Sequence, residues 1–243
     1  MDVAWEDFGW ERLGHGVGRR RLPGWDATAA LVAGPEGVLL YDTGSTLREG
    51  VELRRQAEAL LGRRVTHIAL SHPHFDHVLG AAAFAGVRVY GSAGLTALLR
   101  DGEQGLYGDA VRQGVSEDEA ARSADTLVVP HEEVHGERTL DLGGGRRVLL
   151  ADLGPAHSSH DLAVLVPGSD GAPPVVLCGD LVEESGDPQA GPDAVPARWP
   201  AALGRLLELG GEDALYVPGH GAVVDAAFVR KQRAALAERF AVA

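Results

Sequence analysis

Short apolar runs separated by glycine-rich turns set the rhythm of the first third of the chain. "ATAALVAGPEGVLLYDTGS" holds two such runs split by "GPEG", which predicts a β-hairpin. "TLREGVELRRQAEALLG" places apolar residues at helical spacing and predicts a helix that stops at Gly62. "VTHIALSH" is a buried-strand run that leads straight into clustered histidines. "LGAAAFAG" then predicts a short helix and "VRVYGS" another strand.

Residues 95 to 126 change the pattern. This stretch is polar, interrupted by Gly102, Gly105, Gly108 and Gly114, and is expected to be helical only in pieces. It reads as an excursion from the sheet and a mobile cover. Leu106 and Tyr107 stand out within it. They either close on a substrate or pack the segment onto the body.

The strand pattern then resumes. "RTLDLGGGRRVLLADLG" predicts a hairpin around its glycines, and "DLAVLVPGSDGAPPVVLCGD" predicts a second strand pair. Beyond the loop "EESGDPQAGPDAVP" come a helix, "ARWPAALGRLLELG", a strand and turn, "ALYVPGHGAVV", and a last helix, "DAAFVRKQRAALAERF". Strands and helices recur in two similar halves with no linker between them. The expectation is one domain over residues 1–243.

Composition narrows the function. A chain of 243 residues with 45% hydrophobic content can bury a sizeable core and is not a disordered segment. No apolar run approaches the roughly 18 residues of a membrane span. The start "MDVAWEDFGW" lacks the basic and apolar regions of an export signal, so a cytoplasmic location is expected. The single cysteine, Cys178, excludes an intrachain disulfide and fits a reducing compartment; it reads as a small buried residue. A net charge of −13 argues against nucleic acid as a partner. The one basic cluster, Arg19, Arg20 and Arg21, reads as a solvated hairpin tip. A small-molecule substrate remains, with neither membrane nor nucleic acid.

The densest chemistry lies in "SHPHFDHVLG", where His72, His74, Asp76 and His77 fall within six positions. Imidazole nitrogen and carboxylate oxygen are the donors that borderline divalent metals prefer. His72 and His74, two apart, point the same way in extended backbone. A tight turn at Asp76 and His77 can aim those two at a second point. One loop can thus serve two metals about 3.5 Å apart, the spacing of two-metal hydrolytic sites. Four ligands do not complete two coordination shells, so distant residues must contribute. His157, Asp180, His220 and Asp42 each follow a predicted strand, where a sheet edge would bring them together.

These segments, read in order as "YDTGS", "SHPHFDH", "GPAHSSHD", "CGDL" and "VPGHG", resemble the metallo-β-lactamase-fold hydrolases. The resemblance implies an α/β fold, a four-layer αββα sandwich of two mixed sheets flanked by helices. It implies that His72, His74 and His157 hold one metal and that Asp76, His77 and His220 hold the other. Asp180 would bridge the two, and Asp42 would orient a ligand histidine. Asp76 and Asp180 are thereby the candidate catalytic carboxylates. Two divalent ions per chain are expected, zinc first, with iron or manganese compatible with the same ligands. His160 either lines the mouth of the site or is an exposed loop histidine. Asp161 reads as structural, and His15, His67, His131 and His135 as ordinary.

The chemistry so implied is hydrolysis of an ester, thioester, lactone or amide by a hydroxide held between two metals. The alternative is an iron-dependent oxidoreductase acting on oxygen or a persulfide. Antibiotic-destroying members of the family are exported and lack the bridging aspartate. Glyoxalase-type thioesterases add a C-terminal helical domain, for which the 23 residues after His220 are too few. Quorum-signal lactonases carry a tyrosine near the bridging aspartate, where this chain has Leu181. RNA-processing members carry added domains and a basic surface.

Overall fold

In the computed structural model, which describes residues 4–169 and 171–241, two mixed sheets pack face to face. The first contains β1 (Glu11–Gly14), β2 (Val17–Arg21), β3 (Thr28–Ala33) and β4 (Val38–Tyr41) as an antiparallel run. Helix α1 (Leu47–Leu61) crosses over to β5 (His67–Ala69), which lies parallel to β4. After the one-turn helix α2 (Phe75–Val78) comes β6 (Arg88–Ser92). Helices α3 (Leu95–Arg112) and α4 (Glu117–Asp125) then lead to β7 (Glu132–Val134) at the sheet edge. The second sheet holds β8 (Glu137–Asp141), β9 (Arg147–Asp152), β10 (Leu162–Val166) and β11 (Val175–Glu183), all antiparallel neighbours. Helix α5 (Trp199–Gly210) returns the chain to β12 (Leu215–His220), parallel to β11, and α6 (Ala226–Arg239) follows.

Side-chain alternation assigns each strand residue to a layer. In β3, Ala30 and Val32 face the second sheet and join Leu150, Val164 and Leu177 in the central core. Ala29 and Leu31 face the other way, onto Leu53, Ala57 and Leu60 of α1 and Leu95, Leu99 and Leu106 of α3. A third core packs Ala163, Val176 and Cys178 of the second sheet against Trp199, Leu203 and Leu206 of α5 and Val229 and Leu236 of α6. Helix, sheet, sheet, helix is the four-layer order. Cys178 is accordingly a core residue. No helix among the described residues is long and apolar enough to cross a membrane.

Helix α1 begins and ends where the sequence signals it. The Thr46 side chain accepts from the Glu49 N–H, and Gly62 closes the helix at a φ of 63°.

Two expectations change. Residues 95 to 112 form one continuous helix, so Gly102, Gly105 and Gly108 do not break it. Each interior glycine costs about 1 kcal/mol relative to alanine. The buried leucines Leu95, Leu99 and Leu106 on one face offset this, at about 1.5–3 kcal/mol apiece. Leu106 is core, and the half-buried Tyr107 packs against the same cluster. The mobile-cover reading gives way to a packed helical one.

The arginine cluster is also not a solvated tip. Arg19 lies inside β2 and is 2% exposed. Its guanidinium donates to Glu11 (2.7 Å) and to the Gly221 carbonyl (2.8 Å), so the turn after β12 is pinned to β2. Only Arg21 is exposed, paired with Asp26 at the hairpin end.

A candidate metal centre between the sheets

The histidine loop leaves the carboxyl end of β5, at the rim where parallel strands commonly present ligands. Its backbone is fastened to both sheets. The Leu162 N–H donates to the Ser71 carbonyl (2.7 Å), and the Tyr41 hydroxyl donates to the Leu162 carbonyl (2.8 Å). His72 sits in the bend, His74 caps α2, and Asp76 and His77 occupy the first turn of α2. The expected tight turn is therefore one turn of helix.

Two groups of donors result. His72, His74, His157 and Asp180 offer ligand atoms within 4.8 Å of one another, and so do Asp76, His77 and His220. Asp180 touches both. Its Oδ2 lies 3.6 Å from His72 Nε2, 3.5 Å from His157 Nε2 and 3.3 Å from His220 Nε2, while Oδ1 is 3.3 Å from His77 Nε2. Asp76 Oδ2 is 3.4 Å from His220 Nε2. Asp180 and His77 are buried, and His220 is 12% exposed.

Hydrogen bonds behind the rings decide which nitrogen faces inward. Asp42 Oδ2 accepts from His77 Nδ1 (2.9 Å), while its Oδ1 accepts from the Ser71 N–H (2.7 Å). Asp42 holds a left-handed φ of 58°, a strained conformation for aspartate that aims the carboxylate back at the loop. His220 Nδ1 donates to the Trp25 carbonyl at 2.7 Å. His74 Nε2 donates to Asp193 at 3.1 Å. Each donation turns the opposite nitrogen toward the site, where it is a free lone pair once the ring is neutral. The inward nitrogens converge: His77 Nε2 and His220 Nε2 are 3.4 Å apart, and His74 Nδ1 and His157 Nε2 are 3.2 Å apart. His72 Nε2 and Asp180 Oδ1 are buried without a hydrogen-bond partner among the described residues. Converging ring nitrogens and orphaned buried polar atoms of this kind fit a cation lying between them.

The electrostatics differ from ring to ring: burial opposes charge on His74, but the hydrogen bond to Asp193 outweighs it and raises this histidine. Burial drives His72 well below its usual value and His157 to about 4, so both are neutral and ready to ligate. Burial opposes charge on His77 and His220 too, but Asp180 outweighs it and raises both, His220 to about 9. Protons on this second pair are what a divalent ion would displace.

The remaining candidates fall into place. Asp161 accepts from the Ala156 N–H (2.8 Å) and from the Ser158 N–H and hydroxyl (3.0 Å each), which shapes the loop that carries His157. His160 rests against Gly94 at the start of α3, outside both donor groups. Tyr107 is outside them as well. His131 accepts from the Val89 N–H, and His67 stacks on Tyr90.

Three participants escape a sequence reading. Asp193 does for His74 what Asp42 does for His77, from a loop 119 positions away. The Trp25 carbonyl does the same for His220, and a backbone acceptor has no residue signature. Glu183, the last residue of β11, is buried with its Oε1 4.0 Å from His220 Nε2. Burial and the adjacent Asp180 carboxylate push Glu183 up to about 8. Asp193→Asn is expected to weaken metal binding at the three-histidine group about 10–100-fold with the fold unchanged. Competition against a chelator measures this, and an unchanged affinity would leave Asp193 a mere surface contact.

Comparison with known proteins agrees with this geometry. A family model described as the metallo-beta-lactamase superfamily matches residues 22–220. The metallo-beta-lactamase domain-containing protein 1 of Xenopus laevis is 25% identical over 198 residues, covering 81% of this chain and 71% of that protein. Among solved structures, a metallo-beta-lactamase from Pontibacter korlensis superposes with a TM-score of 0.72 at 20% identity, covering 93% of this chain and 97% of its own. The metallo-beta-lactamase FIM-1 of Pseudomonas aeruginosa, in its mono-zinc form, gives 0.70 at 19% identity over 96% of both chains. The sandwich, the clustered His and Asp donors and the matched span together establish that this chain belongs to the metallo-beta-lactamase superfamily.

Proposed function

We propose that the protein is a dinuclear metal-dependent hydrolase acting on an ester, thioester, lactone or amide of a small molecule. One observation carries the reading: the Asp180 carboxylate lies within 3.6 Å of four imidazoles that belong to two separate donor groups. A single-metal or purely structural site has no use for a carboxylate shared in this way. His72, His74, His157 and Asp180 form a histidine-rich set suited to zinc, the metal present in the FIM-1 relative. Asp76, His77, His220 and the same Asp180 would hold the second ion.

When bound, a pair of divalent ions supplies Lewis-acid activation of water and of the scissile carbonyl at neutral pH. The chain contributes the rest. Asp42, Asp193 and the Trp25 carbonyl fix three imidazole tautomers before any substrate arrives. Asp180 and Asp76, both buried, concentrate negative charge that offsets the dications. Trp25 is packed edge-on against Phe75 at 5.2 Å, which anchors the residue whose carbonyl holds His220. No serine or cysteine nucleophile is required, and Cys178 is sealed in the core.

Elemental analysis of protein purified without added metal, and again after zinc loading, tests the stoichiometry. Two ions per chain are expected in the loaded wild type, with His74→Ala emptying the first site and His220→Ala weakening the second. At most one ion in fully loaded wild type would sink the two-site assignment. The same preparation is then screened on thioesters, lactones, β-lactams and phosphodiesters. Turnover of a carbonyl substrate supports the hydrolase reading; iron as the dominant metal with no turnover across the panel removes it.

A further inference from the structure

The two donor groups are chemically unequal, and Glu183 enlarges the difference. This residue ends β11 directly opposite His220 in the strand register. It is 8% exposed, and its Oε1 has no hydrogen-bond partner among the described residues. The backbone around it is fixed by Gln232, whose Oε1 accepts from the Glu183 N–H (3.1 Å) and whose Nε2 donates to the Leu181 carbonyl (2.8 Å). The carboxylate faces the site: ligand atoms of Asp180, Glu183 and His220 lie within 4.8 Å of one another, and Glu183 Oε1 is 4.0 Å from His220 Nε2. Donors around one ion with bonds of about 2.1 Å sit about 3 Å apart at right angles and about 4.2 Å apart when opposed. The 4.0 Å separation falls inside that range.

We infer that Glu183 is a further metal-facing carboxylate of the second group, and that it tilts this group toward a hard, six-coordinate cation such as Mn²⁺ over zinc. The inference rests on the two-metal reading above. Four-coordinate zinc would already be satisfied by Asp76, His77 and His220 with Asp180, which lies 3.3 Å from both imidazoles, so a fifth protein donor would be redundant. An octahedral, oxygen-preferring ion uses it. The two triads that share His220, Asp76–His77–His220 and Asp180–Glu183–His220, together present three carboxylates and two imidazoles, against one carboxylate and three imidazoles in the first group. A buried acceptor without a donor is costly unless something positive comes to it, and Glu183 Oε1 lies within reach of the His220 and Asp180 ligand atoms. The structure thus assigns zinc to the first position and the harder ion to the second.

The test uses the full chain, stripped of metal, given one equivalent of zinc and then titrated with Mn²⁺. Loss of the free Mn²⁺ electron paramagnetic resonance signal reports binding, so the readout is independent of turnover. Wild type is expected to take up one Mn²⁺ per chain. Glu183→Gln, which keeps the shape and removes the charge, is expected to bind Mn²⁺ about 10–100-fold more weakly while its zinc affinity changes far less. Glu183→Asp, with the carboxylate withdrawn by one methylene, should fall between the two, and it carries the test should the glutamine variant fail to fold. Wild type holding two ions while both variants keep its Mn²⁺-to-zinc preference within about twofold would overturn the role of Glu183 alone. A wild type that takes up no second ion of either metal overturns the two-site reading and this inference with it.

Discussion

Asp180→Asn is expected to leave the fold intact and to cut hydrolysis by at least about 10³-fold, the loss of about 4 kcal/mol of transition-state stabilisation. The aspartate presents Oδ2 to His72, His157 and His220 and Oδ1 to His77, so its oxygens reach imidazoles of both groups. Asparagine has the same shape but one acceptor and one donor group, so an N–H₂ would face a position built for a cation. Two dications held about 3.5 Å apart would repel strongly, and on the two-metal reading the shared carboxylate would screen them. Its removal therefore weakens both sites rather than one. Circular dichroism, metal content and turnover on the substrate found by screening measure the three effects. Near wild-type turnover with both metals retained would show that Asp180 does not bridge.

How much of this was legible in the sequence follows from which interactions are local. The hexapeptide from His72 to His77 concentrates its donors within one loop, and a strand run leads into it. Both features survive folding unchanged, apart from the helical turn at Phe75. His157 and His220 were legible because one follows and the other ends an apolar strand run; Asp180, expected just after its strand, lies inside β11, and the sheets bring all three to one rim. Asp193 was not legible: it sits among prolines and glycines in a loop where aspartate is an ordinary turn residue. Glu183 opens the polar segment "EESGDPQAGPDAVP", which reads as a loop, yet β11 continues through it and buries it. Helix α3 was misread because glycine count was weighed without the leucines on its inner face. Neither Gly102 nor Gly105 has a neighbour within 4 Å of where a Cβ would stand, so the fold makes no use of their small size. Arg19 was misread because its partners, Glu11 and the Gly221 carbonyl, come from another strand and from the far end of the chain.

The segment "VPGHG" has a physical reason that residue pattern alone does not disclose, and it supports a second large effect. β11 and β12 run parallel, with their register shifting at Gly179, and this brings Gly219 directly over Asp180. A Cβ on residue 219 would fall on Asp180 Oδ1, and would stand 2.8 Å from both the Asp180 nitrogen and the Gly179 carbonyl carbon. Side-chain rotation can relieve the first clash only by moving the shared carboxylate, and the backbone clashes are relieved only by parting the strands. Gly219→Ala is therefore expected to displace Asp180 and shift His220, with metal loss and a fall in turnover comparable to Asp180→Asn. Unlike that variant it should also lose stability, by about 1–3 kcal/mol for an overpacked site. In a chain of this size that corresponds to about 2–4 °C in Tm per kcal/mol. Gly186→Ala, in the neighbouring loop with nothing within 4 Å of its Cβ position, is the matched control and should be silent in all three measurements. Differential scanning calorimetry alongside metal analysis distinguishes the outcomes. A Gly219→Ala protein that keeps two metals and wild-type turnover would mean that the Asp180 carboxylate has room to sit elsewhere, and the close approach of β12 would then be incidental to the site.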